Sequence, residues 1–286
     1  MSPLYHYCSV QAFHAIIQSR SVHLSSLSLS NDSQEGKLVA KTIARLAKND
    51  GLSPSVIENL QHSIATLENI LDGLGFCLSE KGDLLSQWRG YATDATGFSI
   101  GFSKDYLEKL SEYKRSAEES GFHLYKVAYS MADQERLVEP TYTEAKLLIK
   151  DGALDFFKPT TLLATYLPTD PESEKKMKQK YFEYRMTMLP LITELFLLKN
   201  EAFEEECEWR LISPFVKTME DICQFRTIAD RLVPYRKFEL ANLGISPITE
   251  VILGPKNKTP CFVVEKFLHQ NGFLDVRVSG SAASYR

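Results

Sequence analysis

The chain has 286 residues, and its 33 Lys and Arg against 37 Asp and Glu give a formal net charge of −4. Its hydrophobic fraction of 44% and charged fraction of 24% are typical of a soluble globular protein. The small acidic excess excludes a general attraction to nucleic acid or anionic membranes and leaves only a local basic patch for such binding. The length favours one domain with insertions over two separate domains.

The five cysteines are odd in number and widely spaced, with no Cys-x-x-Cys pair, so the sequence predicts neither a disulfide framework nor a metal site. Free thiols favour a reducing compartment, and we expect a cytoplasmic protein. The N-terminus lacks the basic and apolar regions of a signal peptide. The most apolar stretch, residues 186–198, is too short to span a bilayer, so we expect a buried helix and no membrane association.

The N-terminal part of the chain predicts short strands separated by helices. Ser9 is placed to cap a helix whose apolar stripe is formed by Phe13, Ile16 and Ile17. In chain order, β-prone runs and helical periodicity predict a strand at 4–8, that helix, a strand at 21–25, helices at 37–50 and 54–72, a strand at 75–79, a short helix at 84–91 and a strand at 96–102. Between them, the polar residues Asn31, Asp32 and Glu35 predict a turn and a helix cap.

The rest of the chain is helical first and β-rich later. It predicts a helix at 104–119, a strand at 122–129, helices at 141–165 and 171–199, an acidic strand at 204–212, an extended segment at 232–240, a strand at 248–253, a helix at 259–272 and a strand at 275–278. We therefore expect one α+β domain over 1–286. Its core strands fall in about 1–36, 74–103, 122–130 and 203–286, and its helical insertions in about 37–72 and 141–200.

The acidic stretch from Glu204 to Ile212 is the most unusual feature of the sequence. Read as a strand, its alternation places Cys207, Trp209 and Leu211 on one face and Glu206, Glu208 and Arg210 on the other. The two carboxylates would then lie roughly 7 Å apart along one surface, which suggests a site for a cation or a hydrogen-bonding ligand. Alternatively, Glu204 to Glu206 form the last turn of a helix, and Glu206 and Arg210 are a helical i,i+4 pair.

Three other residues are candidates for ligand contacts. His6 shares a strand face with Leu4 and Cys8, which favours a core imidazole unless other site residues converge on it. Trp88 and Tyr91 are three residues apart on a predicted helix and share a face. Such an aromatic pair is either part of the core or a platform for a ligand ring.

Seven motifs, in order, resemble the bacterial family called domain of unknown function 2971. They are Leu4-Tyr5-His6-Tyr7, Asn31-Asp32-x-x-Glu35-Gly36, Cys77-x-Ser79 with Trp88-x-x-Tyr91, Gly97-Phe98-Ser99-Ile100-Gly101-Phe102, Glu206-x-Glu208-Trp209-Arg210, Ile248-x-Glu250-Val251-Ile252-Leu253-Gly254-Pro255 and Ser281-x-x-x-Tyr285-Arg286. The resemblance spans nearly the whole chain and is weakest from about 104 to 200.

A more distant resemblance is to the ADP-ribosyltransferase superfamily. It implies a split, bent mixed or antiparallel β-sheet core with helical insertions, and NAD as substrate without a metal. It also implies site roles: His6 holds the adenosine-side ribose, either Ser79 or Tyr91 lies near the nicotinamide, and Glu208 binds the nicotinamide ribose, with Glu206 as the upstream acid. Tyr7, Trp88 and Arg210 complete the expected cofactor-binding set.

The expected function is therefore NAD-dependent mono-ADP-ribosyl transfer to an unknown protein or nucleic-acid acceptor, as in a toxin or phage-defence effector. Cleavage of the nicotinamide–ribose bond passes through an oxocarbenium-like cation, which a pre-oriented carboxylate stabilises. Glu208 would serve this role, and Glu206 would orient or deprotonate the acceptor. The partners expected are the acceptor and an inhibitory or activating protein.

Two other functions stay open. One is a catalytically inactive nucleotide- or ligand-binding sensor on the same fold. The other is an enzyme directed at nucleic acid through a basic helix face, although a solvated face is the plainer interpretation of those charges; the face is formed by Lys175, Lys176, Lys178, Lys180 and Arg185.

Overall fold

A computed structural model describes residues 2–29, 37–117, 121–155, 170–218, 222–228 and 230–285. Within these ranges the strands are β1 (Leu4–Cys8), β2 (Ser21–Ser26), β3 (Leu71–Ser79), β4 (Phe98–Phe102), β5 (His123–Lys126), β6 (Glu208–Val216), β7 (Gln224–Ile228), β8 (Arg231–Glu239), β9 (Ile248–Leu253) and β10 (Arg277–Gly280). The helices are α1 (Val10–Ser19), α2 (Lys37–Asn49), α3 (Pro54–Ile70), α4 (Leu85–Tyr91), α5 (Lys104–Ala117), α6 (Met131–Lys150), α7 (Pro171–Thr187), α8 (Leu191–Glu194) and α9 (Cys261–Gln270), with a 3₁₀ helix at Glu201–Glu206. The α+β class is confirmed.

The described strands form one mixed sheet that branches at β3. Its main path runs β10-β9-β4-β1-β3-β2-β8-β7, and β6 pairs with both β3 and β5. Only the β9–β10 pair among these ladders is parallel. Strand β3 pairs with β6 along one edge over its whole length. Its other edge pairs with β1 at one end and with β2 at the other, and the sheet is open between these two strands.

Two large hydrophobic cores hold the elements together. The first lies between the sheet and α1, α5 and α9, where residues such as Phe13, Leu107 and Leu268 are buried. The second joins α2, α3, α6, α7 and α8 to β3 and β6 through residues such as Ile43, Ile64 and Tyr184. The two predicted insertions therefore pack together as one helical layer, although they are far apart in the sequence.

The helix predicted at 141–165 starts ten residues earlier than the sequence suggested. Ser130 caps α6 through its side chain, which accepts a hydrogen bond from the Asp133 amide, and the helix accommodates Pro140 in its interior. It ends at Lys150, followed by Gly152 at φ +89°. The predicted start at residue 141 was wrong, and residues 156–165 lie outside the described ranges.

The long helix predicted at 171–199 is also divided. Helix α7 ends at Thr187, a turn leads to Pro190, and the single-turn helix α8 follows. Proline removes an amide donor, so a continuous helix through this position is disfavoured. The sequence favoured one long helix kinked at Pro190, and the structure has a break there instead.

Three differences concern the remaining elements. Strand β7 was not predicted, because all five of its residues are exposed and the segment carries no buried alternation. Strand β3 begins at Leu71, four residues before the predicted start, directly after α3. The predicted turn at Asn31, Asp32 and Glu35 lies outside the described residues, as does the end of the helix predicted at 104–119.

Candidate functional site

The open edge of β3 creates a gap that the His6 side chain spans. Tyr5 pairs with Ser79 and Ser25 pairs with Gly75, which leaves the edge between them without a strand partner. The His6 ring fills part of this gap, with Nδ1 2.8 Å from the Cys77 carbonyl oxygen. A carbonyl only accepts hydrogen bonds, so Nδ1 carries the proton in this contact.

A cavity of about 420 Å³ lies at this gap, bounded by β1, β2, β3, α1 and the β7–β8 hairpin. Its volume is in the range of small-molecule sites. The residues lining it include His6, His23, Ser25, Cys77, Tyr91 and Arg226. Two sequence-predicted site residues, His6 and Tyr91, thus converge on one cavity.

His6 is neutral at physiological pH. Burial lowers its pKa to about 4, helped by the nearby charge of Arg226 and opposed by the Cys77 carbonyl. The ring stacks on Phe76 at a centroid distance of 4.0 Å. With Nδ1 protonated, the neutral ring leaves Nε2 as a hydrogen-bond acceptor. His6 is therefore suited to hold a hydroxyl group rather than a charge.

The acidic stretch is not one continuous strand. Glu204 and Glu205 are exposed on the 3₁₀ helix, which ends at Cys207 in the left-handed conformation with φ +44°. Strand β6 begins only at Glu208. The alternative interpretation of Glu204 to Glu206 as a helix end is thus the better one.

The charged face of this stretch is buried, not aligned along a surface as the sequence suggested. Glu206, Glu208 and Arg210 are 8%, 6% and 2% exposed. Lys199 explains how this is tolerated, since its Nζ lies 2.6 Å from Glu206 Oε2 and 3.0 Å from Glu208 Oε2. Together with Arg210, which pairs with Glu208, it forms a four-residue ion cluster with two charges of each sign. Buried charges are stable only when paired in this way.

The two carboxylates differ electrostatically. Burial raises the pKa of Glu208, but Arg210 and Lys199 outweigh burial and bring it down to about 2. Burial also raises the pKa of Glu206, and there the attraction of Lys199 is not sufficient to reverse the effect. The charges of both glutamates outweigh burial at Lys199 and raise its pKa. The pKa of Glu208 is therefore the lower of the two, and Glu208 is ionised at physiological pH.

Cys77 and Tyr91 connect the ion cluster to the cavity. Both line the cavity. The Cys77 side chain hydrogen-bonds to Glu208, and Cys77 stands opposite Arg210 in the β3–β6 ladder. Burial and the neighbouring charge of Glu206 raise the pKa of Tyr91 to about 12. The glutamates therefore sit behind one end of the cavity wall, although they do not line it.

The predicted site residues Ser79, Tyr7 and Trp88 make hydrogen bonds inside the protein, behind the cavity wall. Ser79 is 2% exposed, donates to the Glu206 carbonyl at 2.6 Å and accepts from the Lys81 amide. Tyr7 donates to the Lys81 carbonyl and accepts from the Leu84 amide. Trp88 is fully buried and donates to Asp83 at 2.6 Å. None of Tyr7, Ser79 and Trp88 is among the described residues that line the cavity, and neither is Arg210.

Several residues at the site were not predicted from the sequence. Lys199 follows a buried apolar run and precedes the acids by only a few positions, a signal that could have been used. Ser21, His23 and Ser25 recur at the spacing of one strand face, and all three line the cavity. Arg226 lies on the unpredicted strand β7 and had no comparable signal.

The basic face of α7 is internally paired. Lys176 contacts Glu172 and Lys178 contacts Glu174, both at i,i+4 spacing, and Lys180 contacts Asp151. Pairs of this kind are typical of a solvated helix surface.

Two further observations hold for the described ranges. No group of three or more His, Cys, Asp or Glu side chains there is arranged to hold a metal ion. No helix there is long and apolar enough to cross a lipid bilayer.

Fold and site together define an α+β protein with a ligand-sized cavity at the branch of its sheet and a buried ion cluster behind the cavity wall. Residues 87–211 match the model of a family described as protein of unknown function (DUF2971), and this match supports the resemblance given by the seven motifs. The matched residues include Tyr91, Lys199 and both glutamates of the cluster. No curated protein and no solved structure matches the chain.

Proposed function

We propose that the chain is an NAD-using enzyme of the ADP-ribosyltransferase type, with the dinucleotide held in the cavity at the sheet branch. The observation that carries the proposal is the convergence of His6 and Tyr91 on one cavity whose wall contacts Glu208 through Cys77. The branched sheet, open between β1 and β2, suits the split-sheet core of that superfamily.

His6 and Tyr91 are the lining residues that contact the dinucleotide in this proposal. The neutral His6 ring accepts a hydrogen bond from a ribose hydroxyl through Nε2. Tyr91, which is 47% exposed, offers an aromatic surface for a nucleotide ring. Because the Ser79 hydroxyl is used inside the protein, Tyr91 is the better candidate for the middle position beside the nicotinamide.

The two glutamates supply the electrostatic part of the chemistry. Breaking the nicotinamide–ribose bond develops positive charge on the ribose, and a carboxylate held in place beforehand stabilises that charge without reorganising. Glu208 is ionised throughout the physiological range and fixed by Arg210. Glu206, which pairs with Lys199, is assigned to the acceptor.

A second candidate is a nucleotide-binding sensor without turnover. It is favoured by the engagement of both Glu208 oxygens, since Oε1 accepts from Arg210 and Oε2 accepts from both Arg210 and Lys199. A ribose hydroxyl would have to compete with these charged donors. This candidate predicts NAD binding without release of nicotinamide.

We place the protein in the cytoplasm because none of its five cysteines, all within the described residues, forms a disulfide. Its acceptor is a protein or a nucleic acid, and a regulatory protein partner would control the activity. The test is to measure NAD binding and nicotinamide release by the full chain, and then to incubate it with labelled NAD and candidate acceptors. Binding with release supports the enzyme, binding without release supports the sensor, and no binding contradicts both.

A further inference from the structure

Strand β2 presents a polar stripe to the cavity. Val22 and Leu24 point into the hydrophobic core and are fully buried. Period-two alternation sends Ser21, His23 and Ser25 to the opposite face, where all three line the cavity. A strand that is apolar on its core side and polar on its cavity side is suited to a polar ligand.

The same end of the cavity is positively charged. Arg226 on β7 and Arg231 on β8 line it beside His6 and His23, and none of the described lining residues is Asp or Glu. Burial and the charge of Arg226 lower the pKa of both His6 and His23, so this guanidinium lies close to both rings. Arg231 Nε lies 3.7 Å from Asp230 Oδ1, and Arg231 Nη1 donates to the Leu29 carbonyl at 3.5 Å. The charge balance at this end therefore favours an anion.

Ser25 provides an independent sign of a missing ligand atom. Its hydroxyl oxygen is buried and has no hydrogen-bond partner within the described part of the chain. A buried hydroxyl without a partner is unfavourable, and a ligand oxygen in the cavity would satisfy it.

The position of Arg226 also has a simpler explanation. Strand β7 is the edge of the sheet and all five residues are exposed, and charged side chains on edge strands prevent association with other strands. That explanation requires only solvent exposure. It does not account for the proximity of Arg226 to the two histidines or for the unsatisfied Ser25 hydroxyl.

We infer that the end of the cavity formed by β2, β7 and β8 binds the diphosphate of a nucleoside diphosphate, with Arg226, Arg231 and Ser25 as the phosphate contacts. The inference rests on the proposed function, which places the dinucleotide in this cavity, and it adds the orientation of the dinucleotide there. The diphosphate lies toward the hairpin, and the reacting ribose lies toward Cys77 and Tyr91.

The test is calorimetric titration of the full chain with ADP, AMP, adenosine and inorganic diphosphate. Arg226→Gln and Arg231→Gln remove the proposed contacts, and Lys178→Gln on α7 is the matched control for the loss of one positive charge. We expect ADP to bind more tightly than AMP and adenosine. Each arginine variant should lose about ten- to a hundredfold in ADP affinity, with adenosine affinity unchanged, since charge-assisted hydrogen bonds are lost.

The Ser25→Ala variant distinguishes a loss of ligand binding from a loss of folding. Because the hydroxyl has no partner, its removal should leave the melting temperature unchanged or raise it, while ADP affinity falls several-fold. Equal affinity for ADP and adenosine, or unchanged ADP affinity in a stably folded Arg226→Gln/Arg231→Gln double variant, would overturn the inference.

The outcomes also separate this inference from the proposed enzyme. Arginine-dependent ADP binding without NAD cleavage keeps the diphosphate subsite and rejects the transferase. NAD cleavage with an unchanged KM in the double variant keeps the transferase and rejects the subsite.

Discussion

Arg210 and Glu208 lie two residues apart on β6 and form a bidentate ion pair, with Nε 2.8 Å from Oε1 and Nη2 2.9 Å from Oε2. Residues i and i+2 of a strand point to the same face, so the strand itself brings the two groups together. Arg210 also donates to the Phe196 carbonyl at 2.8 Å, which anchors the pair to the helical layer. The geometry fixes the Glu208 carboxylate as an ion in a buried position.

Glu208→Gln should destabilise the fold strongly. The substitution leaves Arg210 and Lys199 buried with half of their negative counter-charge, and breaking a buried ion pair typically costs about 3 kcal/mol or more. Glu206→Gln should cost about 1 kcal/mol, because burial already disfavours its charge and the amide oxygen still accepts from Lys199. Chemical denaturation of both variants measures the difference, and equal losses would contradict the electrostatic distinction between the two acids.

A second variant separates catalysis from stability at the same position. The double substitution Glu208→Met and Arg210→Met removes both charges of the pair and replaces them with apolar volume, which is often neutral for stability. If this variant folds stably, binds NAD and releases no nicotinamide, Glu208 has a role in catalysis. Nicotinamide release at the wild-type rate would exclude that role.

His6 should make the protein sensitive to mild acid. Its folded pKa of about 4 lies below the ordinary value of 6.5, so the unfolded chain binds more protons between these values. The contribution of the neutral ring to the free energy of unfolding is fully present above pH 6.5. It is lost as the pH falls toward 4, by roughly 3 kcal/mol at most. His6→Asn keeps a donor for the Cys77 carbonyl without titrating in this range. Denaturation curves from pH 7 to 4.5 should therefore be flatter for the variant, and parallel curves would refute the assignment.

Asp83 should be the main attachment point of the C-terminal segment. Its carboxylate accepts from Trp88 Nε1 at 2.6 Å, from the Ser281 hydroxyl at 2.5 Å and from the Ala282 amide at 2.7 Å. Asp83→Asn should lower the free energy of unfolding by about 1–2 kcal/mol and change the fluorescence of Trp88. Tyr285→Phe, which removes one exposed hydrogen bond, is the milder control. A larger effect of Tyr285→Phe would contradict this ranking.

Gly97 and Gly90 should respond oppositely to substitution by alanine. A Cβ at Gly97 would lie 2.0 Å from the Cys8 carbonyl oxygen, whereas a Cβ at Gly90 would meet nothing within 4 Å. Gly97→Ala should therefore destabilise by about 3 kcal/mol or more. Gly90→Ala, in helix α4, should stabilise by about 0.5–1 kcal/mol. Thermal unfolding of the pair tests this, and a loss of stability in Gly90→Ala would count against the position of α4.

Much of the fold follows from local patterns in the sequence. The strands at Leu4–Cys8 and Ile248–Leu253 were predicted with the observed bounds, since their β-prone runs end at clear boundaries. The errors occur where a local signal competes with tertiary packing. Pro140 marks a break in the sequence, yet the packing of α6 against α2 and α7 retains it inside a helix.

The site was only partly accessible from the sequence because its contacts cross long sequence distances. His6 and Tyr91 were identified, and both line the cavity. The link from Cys77 to Glu208 depends on the β3–β6 register, which no local pattern fixes. Burial of the acidic face depends on Lys199, whose approach requires the turn at Cys207.

The most direct test of the central claim is calorimetric titration of NAD into the full chain, the His6→Ala variant and the Lys178→Gln control. We predict one binding site in the wild type and the control. His6→Ala should lose about tenfold in affinity, since a ligand hydrogen bond to a neutral group is removed. Absence of NAD binding by the folded wild-type chain, or equal affinity in His6→Ala, would contradict the claim that the cavity beside His6 is a dinucleotide site.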